Sequence, residues 1–501
     1  MEKGKVYLVG AGPGDYKLIT LRAFELIQKA DVLVYDRLVN KKILKYRSSD
    51  CELIYVGKKP DQHTLTQDQI NDVLIGKAKE GKVIVRLKGG DPFIFGRGGE
   101  EAEYIRQHGF DFEIVPGISS FYSCPAYAGI PVTHRDFSTS VHVITGHEED
   151  GKEDVDYPTL ARLSGTLVFL MGMKNIGLIA EKLMENGKSA STPAAVIHWG
   201  TTSRQRTVTS TLADIERTVK ENHITSPSVL VVGDVVSLHS KLDWLTRKPL
   251  FGKRILVTRT VSQASVLIER IEALGGDAIE LPTIRISKPM NYGEIDKALG
   301  EIDTYNWLVF TSVNGVEGFF NRMRDIKIDI RRLGNIKIFA IGTKTREKIE
   351  SMGLQISVMP NSFNSLEAVK ELSKYIISKD RVLFPTSNLA KETISNTLTD
   401  KGATVRQIEV YRTEPNTEAD PELLEDIKKG SIDVITFASS SAVENFVKIS
   451  GTDISSAKIC SIGPMTTETA QSLGLSVTET AANATMDELM DAILKVCGVE
   501  R

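Results

Sequence analysis

Short runs of Val, Ile and Leu recur along the whole chain, each bounded by polar or glycine-rich sequence. Residues 6–9, 32–35, 83–87, 141–145, 167–170, 194–197 and 229–232 have the length and unbroken apolar character of strands buried on both faces. Between many of them lie segments such as 21–29 and 70–79, whose apolar residues fall at helical spacing. Strands alternating with helices predict βαβ units and an α/β fold. The pattern breaks near Pro249. The polar stretch 239–248 closes one region, and Gly252-Lys253-Arg254 leads into a new strand, Ile255-Leu256-Val257. A second joint is expected at Val115-Pro116-Gly117, because proline and glycine together stop both strand and helix.

Beyond residue 252 the sequence repeats itself. Arg254-Ile255-Leu256-Val257 matches Arg381-Val382-Leu383-Phe384, Leu274-Gly275-Gly276 matches Lys401-Gly402-Ala403, and Phe310-Thr311-Ser312 matches Phe437-Ala438-Ser439, all at an offset of 127 residues. Ile341-Gly342-Thr343 matches Ile462-Gly463-Pro464 at an offset of 121. Blocks at a shared spacing predict two similar α/β lobes with a ligand held between them.

A length of 501 residues leaves room for roughly three domains of about 150 residues. With 41% apolar and 25% charged residues, neither a disordered nor a fibrous chain fits. A net charge of −3 argues against a dedicated nucleic-acid binder, although a local basic cleft remains compatible with it. Four cysteines (Cys51, Cys124, Cys460 and Cys497) stand far apart with no C-x-x-C pair, so reduced thiols and a cytoplasmic location are expected. The first apolar run is too short for a signal-peptide core, and no stretch reaches the ~18 apolar residues of a membrane span. None of the eight histidines forms a ligand cluster, and no metal is expected.

Two glycine-rich loops carry the candidate chemistry of the first half. Gly10-Ala11-Gly12-Pro13-Gly14-Asp15 follows a strand and precedes a helix, where backbone can approach a ligand and free N–H groups are on offer. It resembles a dinucleotide-binding turn, with Asp36 where a ribose-binding acid would stand, but Asp15 replaces the third glycine. A plain structural turn is the alternative. Lys88-Gly89-Gly90-Asp91-Pro92-Phe93-Ile94-Phe95-Gly96-Arg97-Gly98-Gly99 sets apolar residues among five glycines, which suits a flat, partly charged ligand such as a nucleoside. Breaks at Pro116-Gly117-Ile118-Ser119-Ser120, Gly129–Arg135, Met171-Gly172 and Trp199-Gly200-Thr201 fall near strand ends, where α/β ligand crevices form.

Together with Asp36-Arg37-Leu38-Val39 and Val56-Gly57-Lys58-Lys59, these motifs are similar, in order, to those of uroporphyrinogen-III C-methyltransferases across residues 1–245. The resemblance implies a two-domain α/β methyltransferase (subdomains 1–115 and 116–245) that holds S-adenosylmethionine between its domains. It implies two successive methylations of uroporphyrinogen III to precorrin-2, and a homodimer formed through this part. By position, it assigns Pro13, Gly89, Gly90, Asp91, Ile94, Ser119, Ser120, Met171 and Gly200 to the cofactor, Asp36 as proton acceptor and Lys58 as proton donor. A substrate with eight carboxylates calls for a basic cleft, and Arg37, Arg97 and Arg135, with Lys59, Arg86 and Arg204, stand in or beside these loops.

In the second half, hydroxyl residues follow the repeated strands: Thr311, Ser312, Thr343, Ser439, Ser440 and Thr466. They are read either as ordinary helix caps or as a carboxylate-binding wall of helix N-termini. From residue 252 onward, segments including Val410-Tyr411-Arg412-Thr413 resemble uroporphyrinogen-III synthases. That resemblance implies a linker at 246–252 and a synthase at 253–501. One lobe would comprise 253–285 and 412–501, the other 286–411, with a paired-strand junction between them. It also implies cyclisation of hydroxymethylbilane with inversion of the last ring, Tyr411 assisting departure of the hydroxyl. Two other readings stay open: a C-terminal half that binds tetrapyrrole without turnover, and a nicotinamide-dependent oxidoreductase built on the 10–14 turn.

Overall fold

The computed structural model describes residues 4–57, 65–146, 155–258, 261–360, 365–390, 392–416 and 420–499. The chain forms two compact units, Met1–Arg254 with Arg270–Asp277, and Ile255–Glu269 with Ala278–Arg501.

The first unit opens with five parallel strands: β1 (Lys5–Gly10), β2 (Val32–Tyr35), β3 (Glu52–Tyr55), β4 (Val83–Lys88) and β5 (Asp111–Val115), in the order β3-β2-β4-β1-β5. Alternate side chains feed two separate cores. Val9, Leu33, Val85 and Leu87 face one, and Val6, Leu8, Val32, Val34 and Ile84 face the other. Burial on both sides is why these strands are apolar without a break. The chain leaves β1 towards β2 and leaves β4 towards β5, in opposite directions across the sheet. The helix after β1 (Leu21–Lys29) packs on one face with Ala23 and Ile27, and the helix after β4 (Gly98–Gln107) packs on the other with Ala102 and Ile105. The crevice where such connections part, at the carboxyl ends of β1 and β4, is the ligand position of open α/β sheets.

The second sheet holds β6 (Val141–Thr145), β7 (Thr166–Leu170), β8 (Pro193–His198), β9 (Arg206–Thr211) and β10 (Ser228–Val232), in the order β6-β7-β10-β8-β9. Only β6 and β7 are parallel neighbours; β10 runs against both β7 and β8, and β9 against β8. The βαβ pattern expected from the sequence therefore holds here for β6 and β7 and not for the other neighbours. Only residues 199–205 join β8 to β9, a connection too short for a parallel crossover.

The second unit begins with β11 (Arg254–Val257) and β12 (Asp277–Glu280). It continues through β13 (Ile284–Ser287), β14 (Trp307–Phe310), β15 (Lys337–Ala340), β16 (Arg381–Ser387) and β17 (Thr404–Pro415), and returns with β18 (Val434–Phe437), β19 (Lys458–Ser461) and β20 (Glu479–Thr480). One sheet has the order β12-β11-β18-β19-β20 and the other β13-β17-β16-β14-β15. The 127-residue repeat pairs β11 with β16, β12 with β17 and β14 with β18, and at 121 residues β15 with β19. Each copy of the repeat thus divides its strands between the two sheets. The repeated glycines behave alike: Gly275 and Gly402 both have φ of 89° and end equivalent helices, where only a residue lacking Cβ is unstrained. The long β17 pairs with β16 over its first part and with β13, antiparallel, over residues 412–415.

Candidate active site

Three loops of the first unit meet backbone to backbone at the β1–β4 crevice. Gly12 and Gly90 exchange hydrogen bonds, Gly90 N–H to Gly12 O at 2.7 Å and Gly12 N–H to Gly90 O at 3.2 Å. A Cβ on Gly10 would stand 2.4 Å from Gly117 Cα, and one on Gly117 would stand 2.3 Å from Gly90 O. No side chain fits at either position. Asp91 locks the junction, its Oδ1 accepting from Phe93 N–H at 2.8 Å and its Oδ2 from Gly117 N–H at 2.9 Å. Beyond it, the side of Gly90 that lacks a Cβ faces Ser119 Cα and Ser120 N at ordinary contact distance. Ser119 is buried at the N-cap of the helix Ser120–Tyr127.

The loop after β8 closes the other side. Gly200 packs so tightly on Cys124 that a Cβ would come within 2.5 Å of its sulfur, and a Cβ on Gly14 would meet Thr202 Cγ2 at 2.8 Å. Asp15 explains the missing third glycine. Its N–H donates to Thr201 Oγ1 at 3.0 Å, and its carboxylate accepts from Lys17 N–H and from the Tyr127 hydroxyl at 2.9 Å. The carboxylate thus ties the β1 loop to the helix Ser120–Tyr127, a role glycine could not fill. The structure brings Gly89, Gly90, Asp91, Ser119, Ser120 and Gly200 together with the 10–15 turn that contains Pro13. Ile94 lies exposed on the same β4 loop. Met171 follows β7 at a φ of 58° with 53% of its surface exposed.

Asp36 stands one residue beyond β2. Its Oδ1 accepts from Leu38 N–H at 3.0 Å, and its Oδ2 from Arg86 Nη2 at 3.2 Å. The partner is Arg86 of the adjacent strand β4 and not the sequence neighbour Arg37, which points to solvent. Behind it lies a buried ionic cluster. Glu101, 0% exposed, accepts from Lys88 Nζ at 2.7 Å and from Gln67 Nε2 at 3.1 Å, with Arg86 Nε at 3.5 Å. Burial, with Arg86 alongside, holds Lys88 below the usual ammonium range. The signal for this cluster was legible: two cations at alternate positions of an otherwise apolar central strand. Among the other expected cations, Arg97 is bound bidentately by Glu100, Arg204 stacks on Trp199 and Arg135 is exposed. Lys58 and Lys59 lie outside the described residues.

In the second unit, Ser312 and Ser439 cap their helices, accepting from Gly315 N–H at 3.0 Å and from Ala442 N–H at 3.2 Å. Thr311 precedes Ser312 in the turn after β14. Thr343, Ser440 and Thr466 belong to the first turns of helices, Thr466 buried. Tyr411 hydrogen-bonds Ser312, with 3.2 Å between the oxygens. The register of β16 and β17 slips between Thr386–Glu409 and Ser387–Tyr411, and such a bulge re-aims the side chain that follows it. Tyr411 also packs on the core around Phe310 and lines a cavity of about 230 Å³ with Tyr292 and Asn314.

Among the described residues there is no group of three or more potential metal ligands, and no helix is long and apolar enough to cross a membrane. The first unit is an α/β enzyme with a backbone cradle at its topological switch point, and the second a twin-lobed α/β unit. Residues 5–216 match the family model of tetrapyrrole (corrin/porphyrin) methylases, and residues 265–491 that of uroporphyrinogen-III synthase HemD. A porphyrin biosynthesis protein HemD of Ruminiclostridium josui is 37% identical over 99% of this chain and 99% of its own length. A uroporphyrinogen-III C-methyltransferase of Bacillus subtilis is 41% identical over 75% of this chain and 78% of its own. An S-adenosyl-L-methionine-dependent uroporphyrinogen III methyltransferase of Methanosarcina barkeri is 54% identical over 48% of this chain and 94% of its own. The chain belongs to these families: a tetrapyrrole methylase joined to a uroporphyrinogen-III synthase in one bifunctional enzyme of tetrapyrrole biosynthesis.

Proposed function

We propose that the second unit closes hydroxymethylbilane to uroporphyrinogen III and that the first methylates this product twice to give precorrin-2. The division of labour would fall at the linker 246–252. The observation that carries the methylation is the meeting of Gly10, Gly90 and Gly117 beside the Asp36–Arg86 pair, a backbone cradle next to a held carboxylate. Gly89, Gly90, Asp91, Ser119, Ser120 and Gly200, with Pro13, Ile94 and Met171, would hold S-adenosylmethionine, which supplies an electrophilic methyl group on a sulfonium. Backbone N–H and C=O groups there suit the polar edges of a nucleoside, and the exposed Phe93, Ile94 and Phe95 suit its flat faces.

The protein's own part is alignment, exclusion of water and management of one proton. A pyrrole carbon that gains a methyl group leaves its ring system positively charged, and that charge is relieved when a proton departs. Asp36, kept in place by Arg86 and by Leu38 N–H, would take that proton. Lys58 would act as the matching donor. In the second unit, Tyr411 would assist departure of the substrate hydroxyl.

Mass spectrometry and isomer analysis of the products from purified full-length protein given hydroxymethylbilane test both steps. Uroporphyrinogen III is expected without methyl donor and its dimethylated derivative with it. Only the type I isomer would remove the synthase reading, and a product carrying no added methyl would remove the other.

A further inference from the structure

We infer that Ser312 is the positioning residue of the synthase step, fixing the hydroxyl of Tyr411 so that its proton points to the substrate; this rests on the proposed role of Tyr411. Ser312 sits in extended backbone, with φ of −157° and ψ of 154°, and its Oγ accepts from Gly315 N–H at 3.0 Å. A serine oxygen that already serves the helix keeps its own O–H to give. Tyr411 Oη, at 3.2 Å, is placed to accept it. Donation in that direction leaves the tyrosine proton free to face outward.

The internal repeat shows that this contact is not a by-product of helix capping. Ser439 stands 127 residues later, caps its helix in the same way, and has Ser441 Oγ as its hydroxyl partner at 3.1 Å. The repeat counterpart of Tyr411 is Ile284, which has no hydroxyl. Among the described residues Ser312 combines the cap with a tyrosine partner, and the register of β16 and β17 slips just before that tyrosine.

Tyr411 O–H gives its proton to the hydroxyl of the substrate's hydroxymethyl group as the C–O bond breaks, and the bonding pair leaves with oxygen as water. The lone pair of the adjacent pyrrole nitrogen fills the vacancy at carbon, and the N–H proton of that ring then returns to the phenolate.

The test measures kcat and KM for hydroxymethylbilane on the full chain, beside the thermal midpoint. Ser312→Gly removes the hydroxyl but keeps a tolerated cap residue. It is expected to lower kcat about tenfold with KM unchanged, and Ser312→Thr to recover most of that loss. Thr485→Gly removes the hydroxyl that accepts from Glu488 N–H on another helix of the unit, and is expected to leave kcat unchanged. Tyr411→Phe is expected to lower kcat at least as much, and adding Ser312→Gly to it should change nothing further. If Tyr411→Phe keeps full kcat, the role of Tyr411 falls and this inference with it. If Tyr411→Phe is impaired while Ser312→Gly keeps kcat, raises only KM, or adds its own loss to the double variant, the inference about Ser312 alone is overturned.

Discussion

Arg86 and Asp36 meet across neighbouring strands, Nη2 to Oδ2 at 3.2 Å, with Arg86 buried and Asp36 at the rim of the sheet. The arginine comes from the middle of the first unit's sheet, so the carboxylate is fixed from behind and its position does not depend on a mobile surface pair. Asp36→Asn keeps an acceptor for Leu38 N–H but removes the negative charge. Methyl transfer is expected to fall by about 100-fold or more, with S-adenosylhomocysteine affinity within twofold of wild type. Incorporation of radiolabelled methyl groups measures the first and calorimetric titration the second; an unimpaired rate would exclude Asp36 as the proton acceptor.

Glu101 holds the cluster behind that pair together. Fully buried, it faces Lys88 at 2.7 Å and Arg86 at 3.5 Å. Glu101→Gln leaves the buried Lys88 without its 2.7 Å counter-charge and Arg86 with Asp36 alone, at a cost of about 3–5 kcal/mol. Denaturant unfolding should show this as a lower midpoint. Adding Lys88→Met should recover a large part of the loss, because the two effects share one interaction. Simple addition of the two losses would contradict the coupling.

Gly117 tolerates no side chain, since its neighbours at 2.3 and 2.6 Å are the carbonyl oxygen of Gly90 and the Cα of Gly10. Those are backbone atoms of two other loops and cannot turn aside. Gly117→Ala is expected to spread the junction and cost 1–3 kcal/mol, about the penalty for overpacking. S-adenosylhomocysteine binding should weaken at least tenfold. Ligand affinity equal to wild type would separate this junction from the cofactor site.

Burial raises the Cys124 thiol from 9.0 to about 12. In the folded protein the thiol therefore stays protonated where the unfolded chain ionises. Its contribution to stability is complete below pH 9 and is lost as pH rises towards about 12, because the unfolded state binds fewer protons in that window. The loss is about 1.4 kcal/mol for each pH unit in the window. Cys124→Ala should flatten the alkaline fall in unfolding free energy by that slope, whatever its constant packing cost. Parallel curves for the two proteins would show that Cys124 ionises freely.

Much of the first unit was legible in the order of residues. The runs at 6–9, 32–35 and 83–87 lie in β1, β2 and β4, and the helix Leu21–Lys29 begins and ends where its spacing predicts. The glycine loops were visible as loops under constraint. That Asp15 bridges to Thr201 and Tyr127 was not visible, because the partners lie 186 and 112 residues away. β3, β5 and β9 carry polar residues among their apolar ones, and a period read from sequence alone passes over them.

The repeat beyond residue 252 marks the division most clearly. Its spacing, its capping serines Ser312 and Ser439 and its helix-ending glycines Gly275 and Gly402 are local matters of backbone conformation and nearby hydrogen bonds, and the amino-acid order alone determined them. Which strands share a sheet was decided only in three dimensions. Each copy of the repeat is divided between the two sheets, since β11 finds its partner in β18 and β14 in β16. The same holds for Arg86 against Asp36 and for Tyr411 against Ser312. Free energy of this kind comes from burying surfaces and pairing charges that are remote along the chain, and no window of neighbouring residues contains it.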